Sequence, residues 1–139
     1  MIIDATDTVM GRLSTQVAKL LIKGQSVEVV NVEQTVLSGE PKKIVERYRK
    51  RRGMQNKGNP EHSAKWPRRP DYLFKRVVQG MLPKNRTGEI VLHNLTAHVG
   101  VPKELAEEKA EKLKTKSASK LQCRQITLKE LCQRLGWNP

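Results

Sequence analysis

The chain has 139 residues, room for one domain with a single modest core, and carries 27 Lys and Arg against 14 Asp and Glu, a formal charge of +13. Self-repulsion of that size disfavours a compact state unless a polyanion neutralises it, which leaves nucleic acid, an anionic membrane surface or an acidic protein as partner. No window approaches the ~18 consecutive apolar residues of a membrane span, and the N-terminus "MIIDATDTVMGR" lacks the basic start and apolar run of a secretory signal. Cys123, Cys132 and the three histidines His62, His93 and His98 fall in no metal-ligand spacing, so no zinc site is expected and both thiols are expected to be reduced packing residues of a cytosolic protein.

"MIIDA" reads as a short strand that the turn-rich "TDT" ends, after which Leu13, Val17, Leu20 and Leu21 recur at helical spacing up to a stop at Gly24. The Val-dense "VEVVNVEQTVLSG" predicts one buried strand over about Val27 to Val32 and a second over about Thr35 to Leu37. Strand, helix, strand in that order implies a parallel crossover. "PKKIVERYRKRR" starts with Pro41 at a favourable first-turn position and carries Ile44, Val45 and Tyr48 on one side, with basic residues over much of the rest. From Gly53 to Pro70, glycines and prolines at close intervals predict an extended loop, and loops of that length are commonly functional or disordered.

Asp71 offers an N-cap to a helix with Leu73, Phe74, Val77, Val78 and Met81 on its core face and Lys75, Arg76 and Gln79 looking outward. "LPKNRTG" is a turn, "EIVLHN" is a short helix or an extended piece, and "LTAHVG" alternates like a final strand. Pro102 opens a charged helix through about Lys114, with Glu108 and Lys112 at i,i+4, and "KTKSASK" reads as a solvated connector. Thr127 and Glu130 form a capping box for a last short helix that carries Leu128, Leu131, Cys132 and Leu135, closed by Gly136. The alternation predicts a mostly parallel α/β sandwich in one domain: residues 1–101 as the core with a basic helix and loop at 42–70, and 102–139 as a C-terminal helical extension.

Catalytic chemistry has little footing. Asp4 and Asp7 could hold a metal as an acid pair but fit better as turn and cap residues ending a strand. "DTVMGRLS" has one glycine between strand and helix, and neither G-x-G-x-x-G nor G-x-x-x-x-G-K-[ST] occurs, although Arg12 after that turn could touch a phosphate. No Ser or Cys elbow, paired carboxylates or oriented His stands at informative spacing. No enzyme activity, cofactor, metal or small-molecule substrate is expected.

The charge is local. Residues 42–86 hold 15 bases and three acids, whereas residues 1–41 are slightly acidic. The helix supplies Lys42, Lys43, Arg47, Arg49, Lys50, Arg51 and Arg52; the loop supplies Lys57, Lys65, Arg68 and Arg69; Lys75, Arg76, Lys84 and Arg86 follow. Such side chains follow a phosphate backbone, and arginine adds a planar fork that grips two oxygens or stacks on a base. Trp66, set between bases and beside Pro67, either stacks on an unpaired base or anchors the loop to the body. A DNA recognition helix and a lipid-seeking amphipathic helix are both missing from the pattern, and a basic irregular loop beside a compact core suits folded RNA, read mostly by shape. An enzyme acting on nucleic acid and a free-standing RNA-binding regulator are the rival readings.

Three stretches carry a family resemblance: "IDATDTVMGRLSTQVAKLLIKGQSVEVVNVEQTVLSG", "PRRPDYLFKRVVQGMLPKNRTG" and "LTAHVG". Together they resemble the universal large-subunit ribosomal protein thirteen over about Ile2 to Val101, most specifically in "VVQGMLPKN", where Gly80, Met81, Leu82, Pro83 and Asn85 match the family's pattern. The loop "PRRPD" without a Tyr-Pro-Gly-Gly element, and the ending "TLKELCQRLGW", are similar to the archaeal and eukaryotic form. The resemblance implies a three-layer α/β/α fold around a parallel four-stranded sheet. It also implies a non-catalytic, early-assembling component that holds large-subunit rRNA in the cytoplasm beside neighbouring large-subunit proteins. Arg12, Arg68, Arg69, Lys75, Arg76, Lys84 and Arg86 fall where the family is basic and touches rRNA, while Lys57 to Lys65 departs from its pattern.

Overall fold

The computed structural model describes residues 1–105, 108, 110–112 and 118–139. Three short strands, β1 (Ile2–Asp4), β2 (Val27–Val30) and β4 (Leu95–Ala97), form a parallel sheet in the order β1-β2-β4, with Ile3 opposite Val29 and Val29 opposite Ala97. Helix α1 (Met10–Ile22) makes the crossover between the first two. It buries Met10, Leu13, Ser14, Val17, Ala18 and Leu21, the three- and four-residue spacing that lines one side of a helix. Gly24, at φ +83, reverses the chain just past its end, a conformation open to a residue without a Cβ. Neighbours along a strand point to opposite faces, and Ile2 with Ile3, and Val29 with Val30, are all buried, so the sheet is covered on both sides.

The Val-rich stretch divides earlier than its composition predicts. Asn31 takes the left-handed conformation at φ +55, which its short polar side chain tolerates, and a 3-10 turn over Val32–Gln34 follows. That turn carries the chain off the parallel sheet. The second strand, β3 (Val36–Ser38), pairs antiparallel with β5 (Gln125–Thr127) and meets the N-terminal segment through a bridge between Val36 and Val9. The parallel sheet therefore has three strands among the described residues where four are expected.

Two further expectations give way. Pro70 occupies the first turn of α3 (Pro70–Gln79), which makes Arg69 the N-cap, held extended as residues before proline are, and Asp71 lies within the first turn instead of capping it. The helix stops at Gln79, so Met81 turns outward at 41% exposure and Leu82 enters the core in its place. The charged helix over 102–114 is not what the described residues form: a 3-10 turn spans Lys103–Leu105, and Glu111 pairs in parallel with Ile3, accepting from Asp4 N at 3.1 Å and donating to Ile2 O at 2.9 Å. The open edge of β1 offers backbone partners that a helix there would leave unpaired. Lys112 accordingly meets Asp4 at 3.6 Å. Much of the "KTKSASK" connector lies outside the described residues, but Ala118 is buried and its N–H donates to Asp7 O at 2.9 Å, so that part is packed rather than solvated.

The ambiguous "EIVLHN" is helical, inside α4 (Arg86–His93), with Asn85 Oδ1 capping the Gly88 N–H at 2.9 Å. The last helix, α5 (Leu128–Arg134), begins with Thr127 Oγ1 accepting from Glu130 N, one half of the expected capping box, while the Glu130 carboxylate accepts from Arg134; it ends with Gly136 at φ +91 and Trp137 N donating back to Cys132 O. One core cluster joins Ile3, Leu13 and Phe74 to Ile126, Leu128, Leu131 and Cys132. Burial pushes the Cys132 thiol up to about 12, with Asp71 adding to the effect, so it stays protonated and packs as a small hydrophobe. Cys123, by contrast, is exposed, so only one of the two thiols is a buried packing residue.

Candidate nucleic-acid interface

Helix α2 (Pro41–Gly53) turns Ile44, Val45 and Tyr48 into the core and presents Lys42, Lys43, Arg47, Arg49 and Lys50 to solvent. Its last turn is tied down. Arg49 donates to Arg134 O at 3.2 Å and Arg52 to Leu135 O at 3.1 Å, so two guanidiniums of α2 satisfy carbonyls at the C-terminal end of α5, where cations are favoured. Arg51 lies half-buried over two rings, 5.5 Å from the centroid of Tyr48 and 4.9 Å from that of Trp66.

Trp66 is the junction of the region. Its ring meets Tyr48 edge-on with centroids 5.8 Å apart, holds Arg51 on one approach and Arg76 of α3 at 5.7 Å on another, and packs against the core cluster. Of the two roles open to it, anchoring the loop is the one this packing displays. The indole thereby clamps α2, the incoming loop and α3 together. Between α2 and α3 the chain is exposed at nearly every position from Gly53 to Lys65, interrupted by a 3-10 turn at Pro60–His62, and Lys57 and Lys65 are exposed within it.

Arg68 and Arg69 close the loop differently. The Arg68 guanidinium lies beside Gly136, where an added Cβ would meet Nη1 at 3.6 Å. Arg69 pairs with the buried Asp71 at 2.9 Å and covers the Tyr72 ring at 5.1 Å. Lys75 and Arg76 are half-buried on α3, Lys84 and Arg86 are exposed around the start of α4, and Arg12 is exposed on the first turn of α1. The structure thus unites α2, Trp66 and the outer face of α3, while Asn85 spends its side-chain oxygen on a helix cap and Arg12 stands on a separate element.

Three contributors were not visible in the basic pattern. Gly88 faces the Pro83 carbonyl so closely that a Cβ there would overlap its oxygen, and it is this contact that seats the Lys84 to Arg86 turn on α4. Tyr72 and Gln79 bracket the two cations of α3 at helical spacing, a pattern written in "YLFKRVVQ" but masked by the charges around it.

The family profile described as Ribosomal protein L13 matches residues 1–104. The chain belongs to the ribosomal protein L13 family. The large ribosomal subunit protein uL13 of Aeropyrum pernix is 41% identical over 138 residues, spanning 98% of this chain and 89% of its own length. That of Sulfolobus acidocaldarius is 39% identical over 136 residues, spanning 97% and 92%, and that of Haloarcula marismortui is 37% identical over 139, spanning 99% and 91%. These relatives are archaeal and are matched along nearly the whole chain, so the L13-family likeness continues past Val101 through β5 and α5.

Proposed function

We propose that this chain is a structural, non-catalytic constituent of the large ribosomal subunit that binds and stabilises large-subunit rRNA during assembly, in the cytoplasm and beside neighbouring large-subunit proteins. The observation that carries the reading is the convergence of α2, the loop through Arg69 and the outer face of α3 on Trp66. That packing turns a dispersed run of cations into one mounted surface. Family membership and the names of the archaeal relatives support the particle; the charge map supports the ligand. Lys42, Lys43, Arg47, Lys50, Arg68, Arg69, Lys75, Lys84 and Arg86 contact phosphates in this reading, Arg51 and Arg52 shape the surface from beneath, and Arg76 lines a groove in it.

The mount is a three-layer α/β/α body in one domain. Coverage of both faces of β1 and β2 supports the layers, pairing of Glu111 beside β1 supports a fourth position in the parallel sheet, and the shared core of α1, α3 and α5 supports a single domain.

Sedimentation of the tagged chain from cells tests the assignment: it remains with large subunits after a high-salt wash, and its loss from them at that step overturns the reading. Purified chain and transcribed large-subunit rRNA test the surface. Affinity falls on a log-log plot with salt by roughly 0.7 to 0.9 per phosphate neutralised. Reversing Arg68 and Arg69 to Glu lowers the affinity about tenfold or more, whereas Lys112→Glu, at a site already paired with Asp4, changes it by no more than about twofold.

A further inference from the structure

Tyr72, Lys75, Arg76 and Gln79 share the face of α3 opposite its core stripe of Leu73, Phe74 and Val78. They floor a groove with two adjoining cavities. One, of about 250 Å³, is walled by Pro67 and Leu92; the other, of about 390 Å³, by Trp66, Gly80 and Lys84; Arg76 and Gln79 line both. No acidic side chain among the described residues lines either, and an adjoining hollow that shares Gln79 carries Glu89.

The polar lining is biased toward donors. Arg76 Nη1 donates to Gln79 Oε1 at 2.7 Å, and because a guanidinium can only donate, the amide oxygen is fixed toward Arg76 and the Nε2 hydrogens are left to donate elsewhere. Lys75 and Lys84 also only donate. Tyr72, 53% exposed, adds an aromatic surface already approached by Arg69, while Trp66 is engaged by Arg51 and Arg76 and acts as a wall. A planar ring bearing acceptors, attached to a phosphate, meets all of these features at once.

We propose that this groove receives one unpaired purine of the bound RNA, guanine in preference to adenine, an inference that rests on the rRNA-binding reading above. Guanine presents two adjacent acceptors, N7 and O6, to the Gln79 and Arg76 donors, whereas adenine puts its amino group where O6 would be and meets donor with donor. Stacking strength is similar for the two purines, so the amide and guanidinium decide between them, and Lys75 and Lys84 hold the flanking phosphates.

Fluorescence anisotropy with the full chain tests this, using two labelled oligouridine probes that differ by a single central guanosine or adenosine, alongside transcribed large-subunit rRNA. The guanosine probe binds about tenfold tighter than the adenosine probe, and Gln79→Leu, a change at an exposed position, brings the two within about twofold. Equal binding of both probes by the unmodified chain, discrimination that survives in Gln79→Leu, or binding of rRNA with neither probe each overturns the inference while leaving the rRNA-binding reading intact. Failure of the chain to bind the rRNA itself overturns both.

Discussion

Single residues set the shape of the basic surface through contacts that carry no charge. Gly88 is the clearest, since a methyl group there would run into the Pro83 carbonyl and push the Lys84 to Arg86 turn off α4. Gly88→Ala is expected to cost about 2 to 3 kcal/mol in urea unfolding through overpacking against rigid backbone, and to weaken rRNA binding as well. Asp4, on β1, acts instead through its charge and on stability. Burial pushes its carboxyl up, but hydrogen bonds from Thr6 and Asn31, with Lys112 nearby, outweigh this and hold it below its ordinary 3.8. The unfolded chain thus binds the proton first as pH falls. The stabilisation from Asp4 is complete above about pH 5 and is lost as pH drops through the ordinary value to the lowered one. Urea midpoints measured from about pH 5 down to pH 3 fall more steeply for the natural chain than for Asp4→Asn.

Elements act in pairs here. α2 is held by its core stripe of Ile44, Val45 and Tyr48 and, at its end, by Arg49 and Arg52 on the carbonyls of α5, and α3 both packs the core and floors the groove because its two faces carry different chemistry. The loop between them has no such support from Gly53 to Lys65, where nearly all side chains are exposed. Backbone amides there are expected to exchange within seconds in the isolated chain and to become protected on large-subunit rRNA, whereas those of α1 and β2 are slow in both states. Equal protection of Gly53 to Lys65 before and after binding contradicts the loop's role as a contact surface.

The whole molecule concentrates its excess charge in its middle third, residues 42–86, and folds the slightly acidic first third into the core sheet and α1. Concentrating like charge over α2, the loop and α3 places a repulsive load on the free protein that a polyanion relieves. A short RNA or heparin at low ionic strength therefore raises the melting temperature by several degrees. Added salt narrows the gap, since it screens the same repulsion and weakens the same binding.

Residue order alone determined the strand-helix-strand start, the apolar stripes of α1, α2 and α3, the Thr127 cap and the place of the excess charge. Each of these depends on spacing within a few residues or on composition. The tertiary structure decided the rest. Where β3 pairs depends on a strand nearly ninety residues away, the extended path at Glu111 depends on the free edge of β1, and the role of Trp66 depends on Arg51 and Arg76 arriving from two different helices. Long-range partners override local propensity because a buried backbone group or ring must find its neighbour wherever the chain supplies one.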